Sequence, residues 1–505
     1  MPQQEKVLVS LSEGLSKNKR INLHITVALL SFMSMVFHFT TVYFFTLQLE
    51  SLFLVWMFLW LGNLFAFLLD VPVWILQYYF SSKQLYAFGV LSQMLAMLIF
   101  SMFIFSVTDY LASPVLWVSG VLEWVVSFFI FDIWNIVLLW IAAFCYGFTK
   151  ELNDITTISY VLNNAHPSQY KSIIAKNNIF FGAGSFLGLF TAGIVLTLNP
   201  KFIVLHILFM IAMVFLAMYY FFDNSKKVVN VQNISNFRVG FSGVTMKKTA
   251  KNVGELVHKV DIKKTLKGTK YIILLPTTIA WKAPSLKELI SKTKTSFRDI
   301  LDTLRYAVDT HMIVYWSFVM LLTFGFWDTF ASTFLIDFLD QVKPGWSFVL
   351  LWLVAIPAFW LQSFFWNLSD KVWWFKISLI WLLLSGASLM IMAFFVSSLN
   401  IYIILSLALI NSVGYSICMS ISVATFLESY NIAYADRKWL KQIDANASAA
   451  PMKILQNLAN VVWLFLGWMI LGFAWFAWFF FVFGLFIICF LAWSIIWREK
   501  IETAQ

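Results

Sequence analysis

The sequence predicts an all-α polytopic membrane protein with twelve transmembrane helices in two six-helix bundles, plus one hydrophobic segment near 113–131 that does not span. Three observations carry this expectation. The chain of 505 residues is 61% hydrophobic and only 12% charged, and its mean hydropathy is +0.81. A soluble protein of this size has no core able to bury so much apolar surface. Apolar runs of about 20 residues or more, the length that crosses a bilayer, fill most of the sequence. Finally, DVPVWILQYYF (70–80) nearly recurs as AIPAFWLQSFF (355–365), with Pro72, Leu76, Gln77 and Phe80 matching Pro357, Leu361, Gln362 and Phe365. A segment repeated at that separation is the mark of an internal duplication.

In chain order, the polar and basic segment 1–22 comes first. It is expected to be cytoplasmic and uncleaved, because the apolar run behind it is too long for a signal-peptide core. The N-terminal bundle, 23–222, holds spans at roughly 24–49, 52–80, 84–107, 133–163, 172–198 and 200–222. The loop 223–310 holds 17 of the 35 Lys and Arg residues. Within it, TKYIILLPTTIAW (269–281) reads as a short strand or membrane-surface segment, and SFRDILDTLRYAV (296–308) as an amphipathic lead-in to the next span. A basic linker of this kind is suited to contact with anionic lipid. The C-terminal bundle, 311–497, holds spans at roughly 312–339, 345–367, 372–398, 400–428, 452–472 and 474–497, and 498–505 forms the tail.

Charge parity sets the orientation. With the N-terminus cytoplasmic, Lys83, Lys171, Lys176, the loop 223–310, Lys371, Lys376, Arg437, Lys438, Lys441 and the tail all fall on the cytoplasmic side, provided that 113–131 does not cross. Treating 113–131 as a span would place the basic loop outside, against the positive-inside bias. Glu123 in its middle suits a hairpin or interfacial helix on the outer face. Both termini are therefore expected in the cytoplasm, and the plasma membrane is the expected location. The clustering of positive charge in loops between spans argues against nucleic acid as the partner. Cys145, Cys418 and Cys489 fall within apolar runs, so neither a disulfide framework nor a Cys/His metal site is expected.

The motif pair ends span two and span eight, equivalent positions in the two halves. FHFTTVYFFT (37–46) in span one is echoed weakly by FWDTFASTFL (326–335) in span seven. Six spans, a long basic loop, six more spans, and LSDKV (368–372) between spans eight and nine together resemble the major facilitator superfamily. Asp370 and Lys371 match the acid–base pair of that family's inter-span signature, although Trp373 and Trp374 replace its next glycine and basic residue. In the first half, FSSKQLYAFG (80–89) keeps Lys83 but has no acid. GSFLGLFTAG (184–193) in span five resembles the family's antiporter motif through Gly184, Gly188 and Gly193, with Leu189 in place of the proline; close helix packing is the other reading of those glycines. The resemblance implies alternating access around a midplane site, and a gating role for Lys83, Asp370 and Lys371.

A carboxylate inside the bilayer is costly unless it is paired or wetted, so each one is a candidate for function. Asp70 stands roughly 15 Å above the cytoplasmic end of span two, at about 1.5 Å per residue. Asn63, Asp70 and Gln77 are spaced by seven and share one helix face. Pro72 frees a backbone carbonyl beside them. Burial disfavours the charged form of Asp70, which suits it to loading and releasing protons. In span four, FTKELNDITT (148–157) places Lys150, Glu151 and Asp154 one turn apart. This cluster lines the cavity if the helix runs to 163, and is ordinary loop-side helix if the span stops at 149. His38 in span one and Asp328 in span seven occupy neighbouring repeat positions, and His38 can titrate near neutral pH.

The expected function is thus secondary active transport of a small organic solute by alternating access, coupled to protons or another ion. No enzyme activity, cofactor or metal is expected, and the lipid bilayer surrounds a monomer. Two other classes stay open. One is a transporter-like protein that senses or scaffolds. The other is an intramembrane acyltransferase, which would need a partnered histidine near an interface, where His24, His166 and His311 lie outside any recognisable motif.

Overall fold

The computed structural model describes residues 15–45, 52–111, 133–165, 167–198, 231–233, 284–308, 312–322, 361, 374–396, 400–440, 442–473 and 476–496. In the N-terminal half α1 is Lys17–Tyr43, α2 Leu52–Leu76, α3 Ser82–Leu111, α4 Ile133–Asn164 and α5 Pro167–Leu198. A helix of the central loop, α6, is Leu286–Val308. The C-terminal half contributes α7 (Met312–Met320), α8 (Trp374–Phe395), α9 (Ile401–Arg437), α10 (Ala449–Phe473) and α11 (Phe476–Ile496). These correspond to spans one to five, the start of seven, and nine to twelve of the sequence reading. Spans six and eight, the rest of seven, and segments 113–131 and 269–281 lie outside the described residues. Two three-residue strands, β1 (Val231–Asn233) and β2 (Gln442–Asp444), pair antiparallel with Gln232 opposite Ile443.

The helices end where local chemistry dictates. Ser16 caps α1 by accepting the Lys19 backbone N–H at 3.5 Å, and Asn400 caps α9 through the N–H groups of Tyr402 and Ile403. Pro72 lies inside α2. It cannot donate to the preceding turn, and four residues later the helix gives way to a turn in which Tyr78 N–H bonds to Ile75 at 2.9 Å.

Packing follows small residues and aromatic rings. A Cβ on Gly188 would stand 2.7 Å from the Phe32 carbonyl oxygen, and one on Gly184 would collide with the Ala28 carbonyl. Both glycines therefore let α1 and α5 approach backbone to backbone. Gly147 does the same for α4 against α2 at Gly62. Within the N-terminal half Phe45 meets Phe100 at 5.7 Å and Phe58 at 6.1 Å in a buried ring cluster. In the C-terminal half Tyr315 stacks on Phe490 at 5.9 Å. Leu95, Leu98 and Met102 on α3 and Trp140, Ile141 and Phe144 on α4 point outward. Such exposed apolar faces suit a chain whose solvent is lipid. Among the described residues, six helices carry a window long and apolar enough to cross a membrane: those at 17–42, 57–76, 82–103, 135–164, 375–395 and 477–496.

Candidate functional site

The two halves meet where α10 packs against α2 and α4, and this seam is polar. On α10, Lys453, Asn457 and Asn460 are spaced by four and three, which puts them on one face. Opposite them stand Asn63 and Asp70 of α2 and Lys150, Glu151 and Asp154 of α4. α4 is one continuous helix through this stretch, so the polar run 148–157 belongs to it.

Three layers of contacts follow. Lys453 Nζ pairs with Asp154 Oδ2 at 2.6 Å. One turn further along α10, Asn457 donates through Nδ2 to Asp70 Oδ1 at 2.9 Å and to Glu151 Oε1 at 2.6 Å. A turn beyond, Asn63 Oδ1 accepts from Lys150 Nζ at 2.8 Å and from Asn460 Nδ2 at 3.3 Å, while its own Nδ2 donates to the Leu59 carbonyl at 2.8 Å.

The middle layer is the driest. Asp70, Glu151 and Asn457 are each 0% exposed, and both carboxyl groups reach the same Asn457 side-chain amide. Asp70 Oδ2, Glu151 Oε2 and Asn457 Oδ1 have no partner among the described residues. Lys453 brings positive charge to all three acids of the cluster. Among the described residues, three buried oxygens are thus left without donors around a pair of acids.

Below this seam an apolar plug closes one end: Val71 and Ile75 of α2 pack with Ala450 and Ile454 of α10 and Ile300 of α6. Trp74 Nε1 adds a bond to the Asn446 carbonyl at 3.3 Å.

The other sequence candidates go elsewhere. Gln77 is buried past the end of α2, and neither of its amide atoms bonds to a described residue. His38 pairs with the Tyr146 hydroxyl at 3.2 Å. Lys83 lies in the first turn of α3. Gly184 and Gly188 pack α5 on α1, and Gly193 lies further along α5. Asp328, Asp370 and Lys371 lie outside the described residues, as do His166 and His311. His24 is engaged inside the N-terminal half, where its Nδ1 meets Asn177 Oδ1 at 2.7 Å. Among the described residues no group of three or more His, Cys, Asp or Glu is arranged to hold a metal ion.

Sequence reasoning missed the α10 side. Lys453, Asn457 and Asn460 obey the same rule that singled out Asp70, namely polar residues one turn apart in an apolar run. Lys453 falls at the edge of its span, where it reads as a boundary.

Comparison with known proteins adds three findings. A sequence model of the Major Facilitator Superfamily matches residues 52–436. The fold is similar to the xylose transporter XylE from E. coli in a partially occluded inward-open conformation, with a TM-score of 0.56 and 9% identity over 95% of this chain and 99% of that one. It is also similar to a bacterial homologue of the iron transporter ferroportin in an outward-facing state, with a TM-score of 0.54 and 13% identity over 95% of this chain and 100% of that one. No curated protein matches by sequence.

Proposed function

Because the chain belongs to the Major Facilitator Superfamily, we propose that it is a secondary transporter that moves a small organic solute by alternating access, coupled to protons at the Asp70–Glu151 pair. The observation that carries this reading is the shared donor: Asn457 of the C-terminal half binds both acids of the N-terminal half at 2.9 and 2.6 Å. Asn457 thus gathers the two acids at one buried donor, the arrangement we take to carry the coupling proton. When the halves separate along the α10 seam, the pair loses Asn457 and the Lys453 charge and gains water. Proton affinity and conformation are thereby linked, as coupled transport requires.

The basic loop and the positive-inside bias orient the closed end toward the cytoplasm of the plasma membrane, with both termini on that side. On this reading the Val71–Ile75–Ala450–Ile454 cluster is the cytoplasmic closure. No covalent step belongs to this reading. XylE, described as a proton:xylose symporter bound to 6-bromo-6-deoxy-D-glucose, supports proton coupling as the first choice. A sugar-like, hydroxyl-bearing solute is the first substrate pool to try.

The test is proton movement into proteoliposomes that enclose a pH dye, with pools of sugars, amino acids, peptides and organic cations added outside. A pool that moves protons with the wild type, but not with Asp70→Asn or Glu151→Gln, is the expected result. Equal flux in wild type and both variants would remove the pair from coupling. Solute uptake without proton movement would make the protein a uniporter or couple it to another ion.

A further inference from the structure

Among the described residues, none covers one side of the helix α6. Its packed face runs through Leu289, Ile300, Thr303, Leu304 and Ala307. About a quarter-turn around the helix, at roughly 100° per residue, lies a second apolar stripe: Leu286, Ile290, Phe297 and Leu301. Leu286 is 73% and Ile290 60% exposed. Directly beyond this stripe come Lys287, Lys294, Arg298 and Arg305, all exposed. The acids lie on the far side. Glu288 and Asp299 are held by Lys292 and by Arg437 and Lys438, and Asp302 sits at the limit of pairing with Arg298 (4.0 Å) and Arg305 (3.8 Å).

The location of α6 matches that pattern. Only three residues separate Val308 from Met312, where span seven begins, a reach of about 10–14 Å at most. Tyr79, just past the end of α2, donates to Glu288 at 2.9 Å and also meets Lys292. Near the middle of α6, Asp299 binds Arg437 at the end of α9, and Lys438 at 3.0 Å. The helix therefore lies across the ends of α2 and α9, one from each half, and beside the start of span seven.

We propose that α6 is an interfacial helix whose Leu286–Ile290–Phe297–Leu301 stripe enters the bilayer surface while Lys287, Lys294, Arg298 and Arg305 bind anionic lipid headgroups. An apolar stripe rimmed on one side by lysine and arginine, with the acids turned away, is the amphipathic order that such a surface selects. A soluble protein groove would accept the stripe but has no need of the one-sided basic rim. Since α6 touches α2 and α9 together, anionic lipid would hold it in the position that bridges the two halves.

The test uses the full chain with Cys489→Ser and one reporter cysteine at a time: Ile290→Cys, Phe297→Cys or Asp302→Cys, each carrying an environment-sensitive dye. Nanodiscs are made of phosphatidylcholine alone or with phosphatidylglycerol, each with a shallow spin-labelled lipid as quencher. Expected is quenching at 290 and 297 about twofold or more above that at 302, larger with phosphatidylglycerol. Replacing Lys287, Lys294, Arg298 and Arg305 with glutamine should remove the phosphatidylglycerol effect. Quenching at 290 and 297 no greater than at 302 in both lipids would overturn the proposal. So would crosslinking of the 297 reporter to a second copy or to residues 234–283 of the same chain. Should the fourfold variant fail to fold, the comparison of three reporter positions still decides.

Discussion

Lys453 and Asp154 form an ion pair of 2.6 Å across the two halves, in which the lysine side chain is 4% exposed and the aspartate 36%. The pair lies one turn from Asn457, at the end of the seam that the apolar plug closes. It ties α10 to α4 at that end of the seam. Charge pairs that bridge the moving parts stabilise one conformation and not the other, so their loss shifts the balance between states. Asp154→Asn and Lys453→Met should each destabilise the closed form. The double variant should lose less than the sum, with a coupling of about 1–3 kcal/mol. Thermal unfolding of the four proteins in one detergent checks this, and strict additivity would show that the pair does not hold the closed form.

Asn457 is the shared donor of the buried acid pair, and its replacement separates two effects. Asn457→Leu fills similar space but leaves Asp70 Oδ1 and Glu151 Oε1 without their hydrogen bond, at about 1–3 kcal/mol of closed-state stability. Transport should fall by about 5- to 150-fold for a loss in that range. Asn457→Asp adds a third buried acid instead, so its transport defect should deepen as external pH rises. Transport rates of both variants between pH 5.5 and 8 test this. A pH-independent defect in Asn457→Asp would show that residue 457 does not sense the protonation of its neighbours.

How much of this seam could be read from the sequence depends on the physical signal. Asp70, Lys150, Glu151 and Asp154 stood out because charge within an apolar run is expensive wherever it points. Asn63 came with them through helical spacing. Spacing within one helix shows which residues share a face, but not which other helix that face meets. Asp154 and Lys453 are 299 positions apart, and nothing periodic links them. The same blindness explains Gln77: it shares the stripe of Asn63 and Asp70 on paper, but α2 ends at Leu76 and the residue falls in the turn. The extent of α4 was undecidable from length alone. Its polar end stays helical beside Lys453 and Asn457, which supply partners that local propensity cannot register. The repeated motif, by contrast, is legible in the chain itself, although its second copy falls outside the described residues but for Leu361.

The glycines of α5 distinguish packing from a transport motif. Gly184 and Gly188 each leave no room for a methyl group against the α1 backbone, and backbone atoms cannot rotate aside. Gly184→Ala and Gly188→Ala should therefore each cost about 1–3 kcal/mol through forced separation of α1 and α5. The check is the thermal midpoint in detergent, with yield of folded protein beside it. A normal midpoint accompanied by lost transport would assign these glycines to the transport cycle rather than to packing.

Asp299 offers a pH handle on α6 that is independent of the buried acids. Partial burial of its carboxyl works against ionisation, but the hydrogen bonds and charges of Arg437 and Lys438 outweigh it and hold the group below its ordinary value of 3.8. A folded-state value below the free value means that the contact stabilises at all pH above the free value. That contribution is lost only as pH falls through the depressed one. Docking of α6 should consequently be flat from about pH 5 to 8 and weaken below about pH 4. Asp299→Asn should weaken it by no more than about 1 kcal/mol from about pH 5 to 8, because these side chains are partly exposed, and converge with the wild type at the acid end. Hydrogen exchange along 286–308 measures the docking directly. Faster exchange near pH 6 in the wild type would mean that a group other than Asp299 governs the helix.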